Sequence, residues 1–270
     1  MRFGASTDLR FGQNNIEFLE ILYFNGFSHI EIRKDSDHVY GQVNPSTLRR
    51  SLSKYGFTVS YHVPHREFNL ASVNEDIRKC CVSQVIAIGE YLHEIGQGWV
   101  NIHAGHVPNS YHKNAIIKAK SNCMKSLDEI AEAFKALNTE IFLENDSKEN
   151  GLIKFGLTPV QMKGLLEDYP EFYMTFDLGH CHNSGFQPLN FIEPLRDKIR
   201  AAHLHDNHGI KDEHLALGEG NVDFASAIKL LEDCCEYYIF EMRSLSDIIK
   251  SREYLELIKN KEHIESLKVK

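Results

Sequence analysis

A chain of 270 residues with 42% hydrophobic and 25% charged side chains has enough apolar material for a substantial core, which excludes a disordered or collagen-like protein. Thirty Lys and Arg against 38 Asp and Glu leave a formal charge of −8, and the absence of a Lys/Arg block argues against a general basic face for nucleic acid. Apolar runs are short and MRFGASTDLR lacks the apolar core of a secretory signal, so a cytoplasmic protein with no membrane span is expected.

RFGAST (2–7) reads as a strand, followed by a helical pattern near 14–25 and a second strand, FSHIEIR (27–33). Asn44 and Pro45 look like an N-cap and first helical position, opening a helix to residue 55. After the strand FTVSYH (57–62), Ser72 with Glu75 matches a capping box ahead of a helix to residue 95. WVNIH (99–103) precedes a helix over 112–137, and EIFLEN (140–145) precedes a helix started by Thr158-Pro159 with Gln161. FYMTFD (172–177), a short helix near 189–197, and RAAHLH (200–205) continue the alternation. A helix over 223–235, the strand YYIFEM (237–242) and a helix over 246–259 complete it.

Eight strand-then-helix units predict a single (β/α)8 TIM barrel spanning 1–270, with a doubly wound open sheet as the alternative. No linker, low-complexity segment or glycine fingerprint supports a second domain. The six cysteines (Cys80, Cys81, Cys123, Cys181, Cys234, Cys235) include two adjacent pairs and no CxxC, and read as reduced thiols. The unusual number is 15 histidines.

In such a barrel the chemistry collects at the C-terminal strand ends. The third predicted strand ends at His62, the fourth at His103, the fifth at Glu144 and the sixth at Asp177, with His180 three residues on. The seventh ends at His203, followed by Asp212 and His214, and the eighth at Glu241. Imidazole and carboxylate together suit Zn, Mn or Fe, and nine candidates exceed what one ion can use, so two or three ions are expected. Taken singly, a strand-end His is most often a hydrogen-bonded packing residue, and Asp177 before Leu178-Gly179 could simply start a turn. Glu144, Asp177, His203 and Glu241 together are another matter, because carboxylates buried at one mouth are costly without a cation. His65, His106, His182, His205 and His208 read as groups behind the ligands, substrate contacts or surface-loop residues.

The ordered stretches YHVPHREFNLAS, NIHAGH, LEN, FDLGHCHNSG, HLHDN and DEHLALGEGN, with Glu241, resemble the xylose-isomerase-like TIM barrels over residues 3–258. That superfamily includes AP endonuclease family 2 (endonuclease IV) and many sugar isomerases and epimerases. Resemblance to endonuclease IV implies up to three Zn2+ ions, with Mn2+ or another divalent metal as alternatives. His62, His103 and Glu144 would hold the first, Glu144, Asp177, His203 and Glu241 the second, and His180, Asp212 and His214 the third. The single-metal epimerases keep only the second set, and typically carry an Arg-bearing loop where Asp212-Glu213-His214 stands here, which points to the trinuclear side. The first loop, Gly4-Ala5-Ser6-Thr7-Asp8-Leu9, lacks the glycine-rich pattern of endonuclease IV, and NDSKENG replaces its Thr-Ala-Gly-Gln-Gly. The loop between His203 and Asp212 is short as well. These are the segments with which that nuclease grips DNA.

The favoured expectation is therefore a metal-dependent phosphoester or phosphodiester hydrolase, with a hydroxide between the ions sharing Glu144 attacking phosphorus. Damaged, abasic DNA is its candidate partner, and Arg33, Lys34, Arg66, Lys148 and Arg243 are candidate phosphate contacts. The alternative is a sugar or sugar-phosphate isomerase or epimerase in which Glu144 and Glu241 exchange a proton through an enediolate and His180 orients substrate. The filled third set favours the first; the acidic net charge and altered loops favour the second. A non-enzymatic metal-binding scaffold is the third possibility.

Overall fold

The computed structural model describes residues 1–64 and 67–268, with backbone alone for Leu9 and for 260–268. His65 and Arg66 lie outside the described residues. The chain opens with β1 (Arg2–Ser6), a 3-10 turn over Leu9–Phe11, α1 (Asn15–Phe24), β2 (His29–Arg33), α2 (Lys34–Tyr40) and α3 (Pro45–Tyr55). It continues through β3 (Thr58–His62), α4 (Glu75–Ile95), β4 (Trp99–His103), β5 (His106–Pro108), α5 (Lys113–Phe134), β6 (Glu140–Glu144), β7 (Leu152–Lys154) and α6 (Pro159–Asp168). The remainder carries β8 (Tyr173–Asp177), α7 (Leu178–Asn183), α8 (Pro188–Leu195), β9 (Ile199–Leu204), α9 (Phe224–Leu231), β10 (Tyr237–Phe240) and α10 (Leu245–Lys268).

Eight strands close into a parallel barrel in the order β1-β10-β9-β8-β6-β4-β3-β2. The fold is a (β/α)8 barrel, not an open sheet. β5 and β7, which follow the C-terminal ends of β4 and β6, pair antiparallel outside the barrel. Among the described residues no helix is long and apolar enough to cross a membrane.

Local chemistry explains most boundaries. Asn44 caps α3 by accepting from Ser46 N, and Thr158 with Gln161, where a helix start was expected, forms a capping box for α6. α4 is different: its cap is Asn74, which accepts from Asp76 N and Ile77 N, and not the expected Ser72. Asn74 directly precedes the first helical residue, whereas Ser72 sits too far out and instead accepts from Asn74 N. α9 stops at Leu231, short of the expected 235, and the chain closes with a turn in which the amides of Cys234 and Cys235 both bond the Leu231 carbonyl. α2, α7 and the β5–β7 pair were not expected from the sequence. Arg78 is fully buried between α4 and α5, where Glu75, Glu129 and Ser126 satisfy its guanidinium.

Alternate side chains of each strand enter the barrel. Trp99, Phe142, Ala201 and Ile239 pack with Tyr173 and Tyr237 into an apolar plug at the base. Two residues further along the same five strands that carry the large side chains and Ala201, the chain turns polar. Asn101 follows Trp99, Glu144 follows Phe142, Thr175 follows Tyr173, His203 follows Ala201 and Glu241 follows Ile239. The interior is thus greasy at one end and ionisable at the other.

Candidate metal centre

All nine residues singled out in the sequence converge at the C-terminal mouth. His62 Nε2 lies 3.2 Å and His103 Nε2 3.6 Å from Glu144 Oε2. His203 Nδ1 lies 3.3 Å from Glu144 Oε1, 3.8 Å from Asp177 Oδ2 and 3.9 Å from Glu241 Oε2. Asp212 Oδ2 sits 3.3 Å from both His180 Nε2 and His214 Nε2. β9 runs one residue past His203, and β10 ends one residue before Glu241, so these two are not the terminal strand residues the sequence suggested. Asp177 ends β8 and also caps α7, accepting from His180 N at 2.6 Å, so the turn-starting and ligand readings describe the same residue.

Three imidazoles are locked in one tautomer. Nδ1–H of His62, His180 and His214 donates to the carbonyls of Val63 (2.7 Å), Asn145 (2.9 Å) and Glu241 (2.7 Å) respectively. In the neutral ring each Nε2 then presents a lone pair to a carboxylate oxygen. Two lone pairs at such a distance repel unless a proton or a metal ion stands between them. Ligands 2.0–2.1 Å from a tetrahedral ion stand roughly 3.3 Å apart, which matches the observed spacings. Several of the buried polar atoms without a hydrogen-bond partner lie in the same place: His103 Nδ1, His203 Nδ1, His205 Nδ1, Asp212 Oδ1 and Glu241 Oε1. The donor set therefore fits divalent cations.

Charge in the ion-free site follows the same logic. Burial disfavours the imidazolium of His203, but Glu31, Glu144 and Glu241 raise its pKa well above the usual value. Burial likewise opposes protonation of His180, and Asp177 and Asp212 outweigh it. Burial would raise Glu144, yet His203 and His103 hold it well below the carboxylate range. Asp212 is held low against burial by His180 and His205, and Glu241 by His203 and Arg33. His103 goes the other way, lowered by burial despite Glu144. These are strongly paired charges, ready to exchange protons for metal.

Several contributors were missed in the sequence. His205, assigned there to a peripheral role, is fully buried, with Nε2 3.2 Å from Asp177 and 3.6 Å from Asp212 Oδ1. Gly179 makes this possible, since a Cβ there would collide with the His205 ring. Asn101 donates to Glu144 Oε2, and Asp146 stands 3.4 Å from His103 Nδ1. Glu31 lies fully buried on β2. Period-two alternation would have flagged Asn101 and Glu31, because they precede His103 and Arg33 on the inward face. Among the described residues, His208 pairs with Glu213 on an exposed loop, and His182 Nε2 meets Asn221. His106 is half-buried on β5, bonded through its backbone to Asn69.

The mouth opens into a cavity of about 960 Å3 whose wall includes Arg33, Lys148, Asp212, His214, Glu241 and Arg243. Arg33, Lys148 and Arg243 thus face the space where phosphate contacts were expected. Lys34 does not: it binds Asp37 at 3.2 Å and is not among the lining residues.

The closed barrel with a His/Asp/Glu mouth matches a known class, and the chain belongs to the xylose isomerase-like TIM barrel family, whose pattern covers residues 20–261. An uncharacterized protein of Methanocaldococcus jannaschii is 29% identical over 262 residues, spanning 94% of this chain and 88% of that protein. A probable endonuclease 4 of Aquifex aeolicus is 25% identical over 199 residues, 67% of each chain. Among solved structures, a D-tagatose 3-epimerase-like protein superposes with a TM-score of 0.86 at 28% identity, covering 100% of both chains.

Proposed function

We propose that the protein is a divalent-metal-dependent epimerase or isomerase of a small sugar or sugar phosphate. Full-length likeness to a D-tagatose 3-epimerase-like protein carries this reading and shifts the balance from the hydrolase favoured by the sequence. Glu144, Asp177, His203 and Glu241 would hold the ion, Zn2+ or Mn2+ by donor type. A bound divalent ion supplies Lewis-acid polarisation of the substrate's carbonyl and adjacent hydroxyl. Glu144 at the end of β6 and Glu241 after β10 flank the β8–β9 wall, so a substrate in the mouth lies between two carboxyl groups. Glu144 takes the proton from the carbon next to the carbonyl, and the C–H electron pair moves into an enediolate. A proton then reaches the opposite face from the Glu241 side, and exchange with solvent resets the pair. His180, fixed by Asn145, orients substrate hydroxyls. In D2O with Zn2+ or Mn2+, a panel of ketoses and ketose phosphates should include one that inverts with solvent deuterium at the inverted carbon. Inversion without deuterium, or no turnover across the panel, overturns the reading.

One observation favours a second reading, endonuclease IV-like phosphoester hydrolysis. His180, Asp212 and His214 converge with His205 into a further potential cation site, and His62, His103 and Glu144 form another. Under that reading the purified protein holds more than two ions per chain and cleaves an abasic-site oligonucleotide. A single bound ion with no cleavage leaves the epimerase.

A further inference from the structure

We propose that Glu31 is a positioning residue that fixes the tautomer and direction of His203, through a polar chain running up the barrel interior from its base. This rests on the reading of His203 as a metal ligand. Glu31 sits in the middle of β2, on the inward face and without solvent exposure. Its Oε1 is 3.0 Å from His203 Nε2, and neither atom has another partner. The two atoms stand within ion-pair distance but outside hydrogen-bond alignment, so the pair bonds once His203 is turned onto an ion. His203 has only one other ring nitrogen, Nδ1, and that atom faces Glu144, Asp177 and Glu241. A carboxylate oxygen accepts and cannot donate, so a proton on Nε2 leaves the Nδ1 lone pair directed at the mouth.

Glu31 is itself held from below. Ser60 Oγ donates to Glu31 Oε2 at 3.0 Å, which spends its only proton. His29 Nε2, 3.0 Å from the same hydroxyl, is therefore the donor of that pair. His29 Nδ1 then accepts from Thr58 Oγ1 at 2.9 Å. The His29 ring stacks on Trp99, with centroids 4.7 Å apart and planes 8° from parallel, which ties the chain to the apolar plug. The Ser28 carbonyl is the more distant acceptor for Thr58 Oγ1, at 3.5 Å, so the chain runs in one direction from Thr58 to His203. A buried carboxylate behind a ligating imidazole raises the basicity of the ring and lowers the entropy lost on binding.

Zinc affinity measured by competition with a chelating dye tests this on wild type, Glu31→Gln, Ser60→Ala and His203→Ala, beside melting of the ion-free proteins. Glu31→Gln should weaken binding roughly 10–100-fold, beyond any change in ion-free melting. Ser60→Ala should weaken it less, and His203→Ala should remove one ion. In zinc-loaded wild type with 15N-labelled histidine, His203 Nε2 should carry the proton. If His203→Ala loses an ion but Glu31→Gln binds as wild type, the positioning role is overturned alone. If His203→Ala binds zinc normally, the ligand reading falls with it. Should Glu31→Gln not fold, a zinc-loaded His203 protonated on Nδ1 overturns the proposal by itself.

Discussion

His214 donates from Nδ1 to the carbonyl oxygen of Glu241, 2.7 Å away, out of a backbone held at φ 54°. Left-handed backbone at a non-glycine residue costs of order 1–3 kcal/mol in strained settings and persists where surrounding structure insists on it. Here it turns one ring so that Nδ1 reaches Glu241 O and Nε2 reaches Asp212 Oδ2. His214→Gly should therefore melt near wild type when ion-free, since relief at φ offsets one lost hydrogen bond of ~1 kcal/mol. His214→Ala, which keeps a Cβ at the same φ, should melt below it. Both should lose metal by elemental analysis. Equal melting of the two variants would show that the backbone is not strained there.

Glu144 lies at the centre of the cluster: His62, His103, His180 and His203 all approach it, and Asn101 donates to it. Glu144→Gln keeps the shape and removes the charge and the proton acceptor. Turnover should fall by ~10²–10⁴-fold or more, the range of one lost acid–base group, with metal content reduced as well. Full activity in this variant would remove the cluster from the chemistry.

Much of this was legible in the sequence because barrel and site are both built from local rules. Strand and helix alternate along the chain, and the strand-end residues share one rim by topology alone. Capping residues such as Asn44 and Thr158 also announce themselves by position. What stayed hidden depends on neighbours distant in sequence. Alternation places Glu31 on the inward face, but its partner His203 emerges only when β2 and β9 line one barrel, and His205 is accommodated only because Gly179 leaves room for its ring. The β5–β7 pair joins segments that are too short to carry a strand signal of their own.

Metal binding should release protons. In the ion-free site Glu31, Glu144 and Glu241 favour a charged His203 against the effect of burial, and Asp177 and Asp212 do the same for His180. Both pKa values are raised, which favours charged rings without metal, and a ring that ligates an ion has to give up that proton. Zinc titrations by calorimetry in buffers of different ionisation enthalpy should report at least one proton leaving per chain. Affinity should rise with pH through neutrality. Heats independent of buffer would mean that the rings are already neutral.

At the other end of the barrel, His29 makes a separate pH prediction. Burial, reinforced by His203 and Arg2, pushes its pKa from 6.5 down to about 3. The unfolded chain therefore binds a proton below pH 6.5 that the folded chain refuses until about pH 3. More protons on the unfolded state means that stability rises with pH across that window. The His29 contribution is complete above pH 6.5 and drains away on acidification, at ~1.4 kcal/mol per pH unit while only the unfolded form is charged. His29→Gln can keep bonds to Thr58 and Ser60 but cannot titrate. Urea unfolding of wild type and variant at pH 7, 6, 5 and 4 should give stability curves that converge or cross toward acid. Parallel curves would mean that the imidazole is charged inside the barrel, and the assignment of Nδ1 as the acceptor from Thr58 would have to be abandoned.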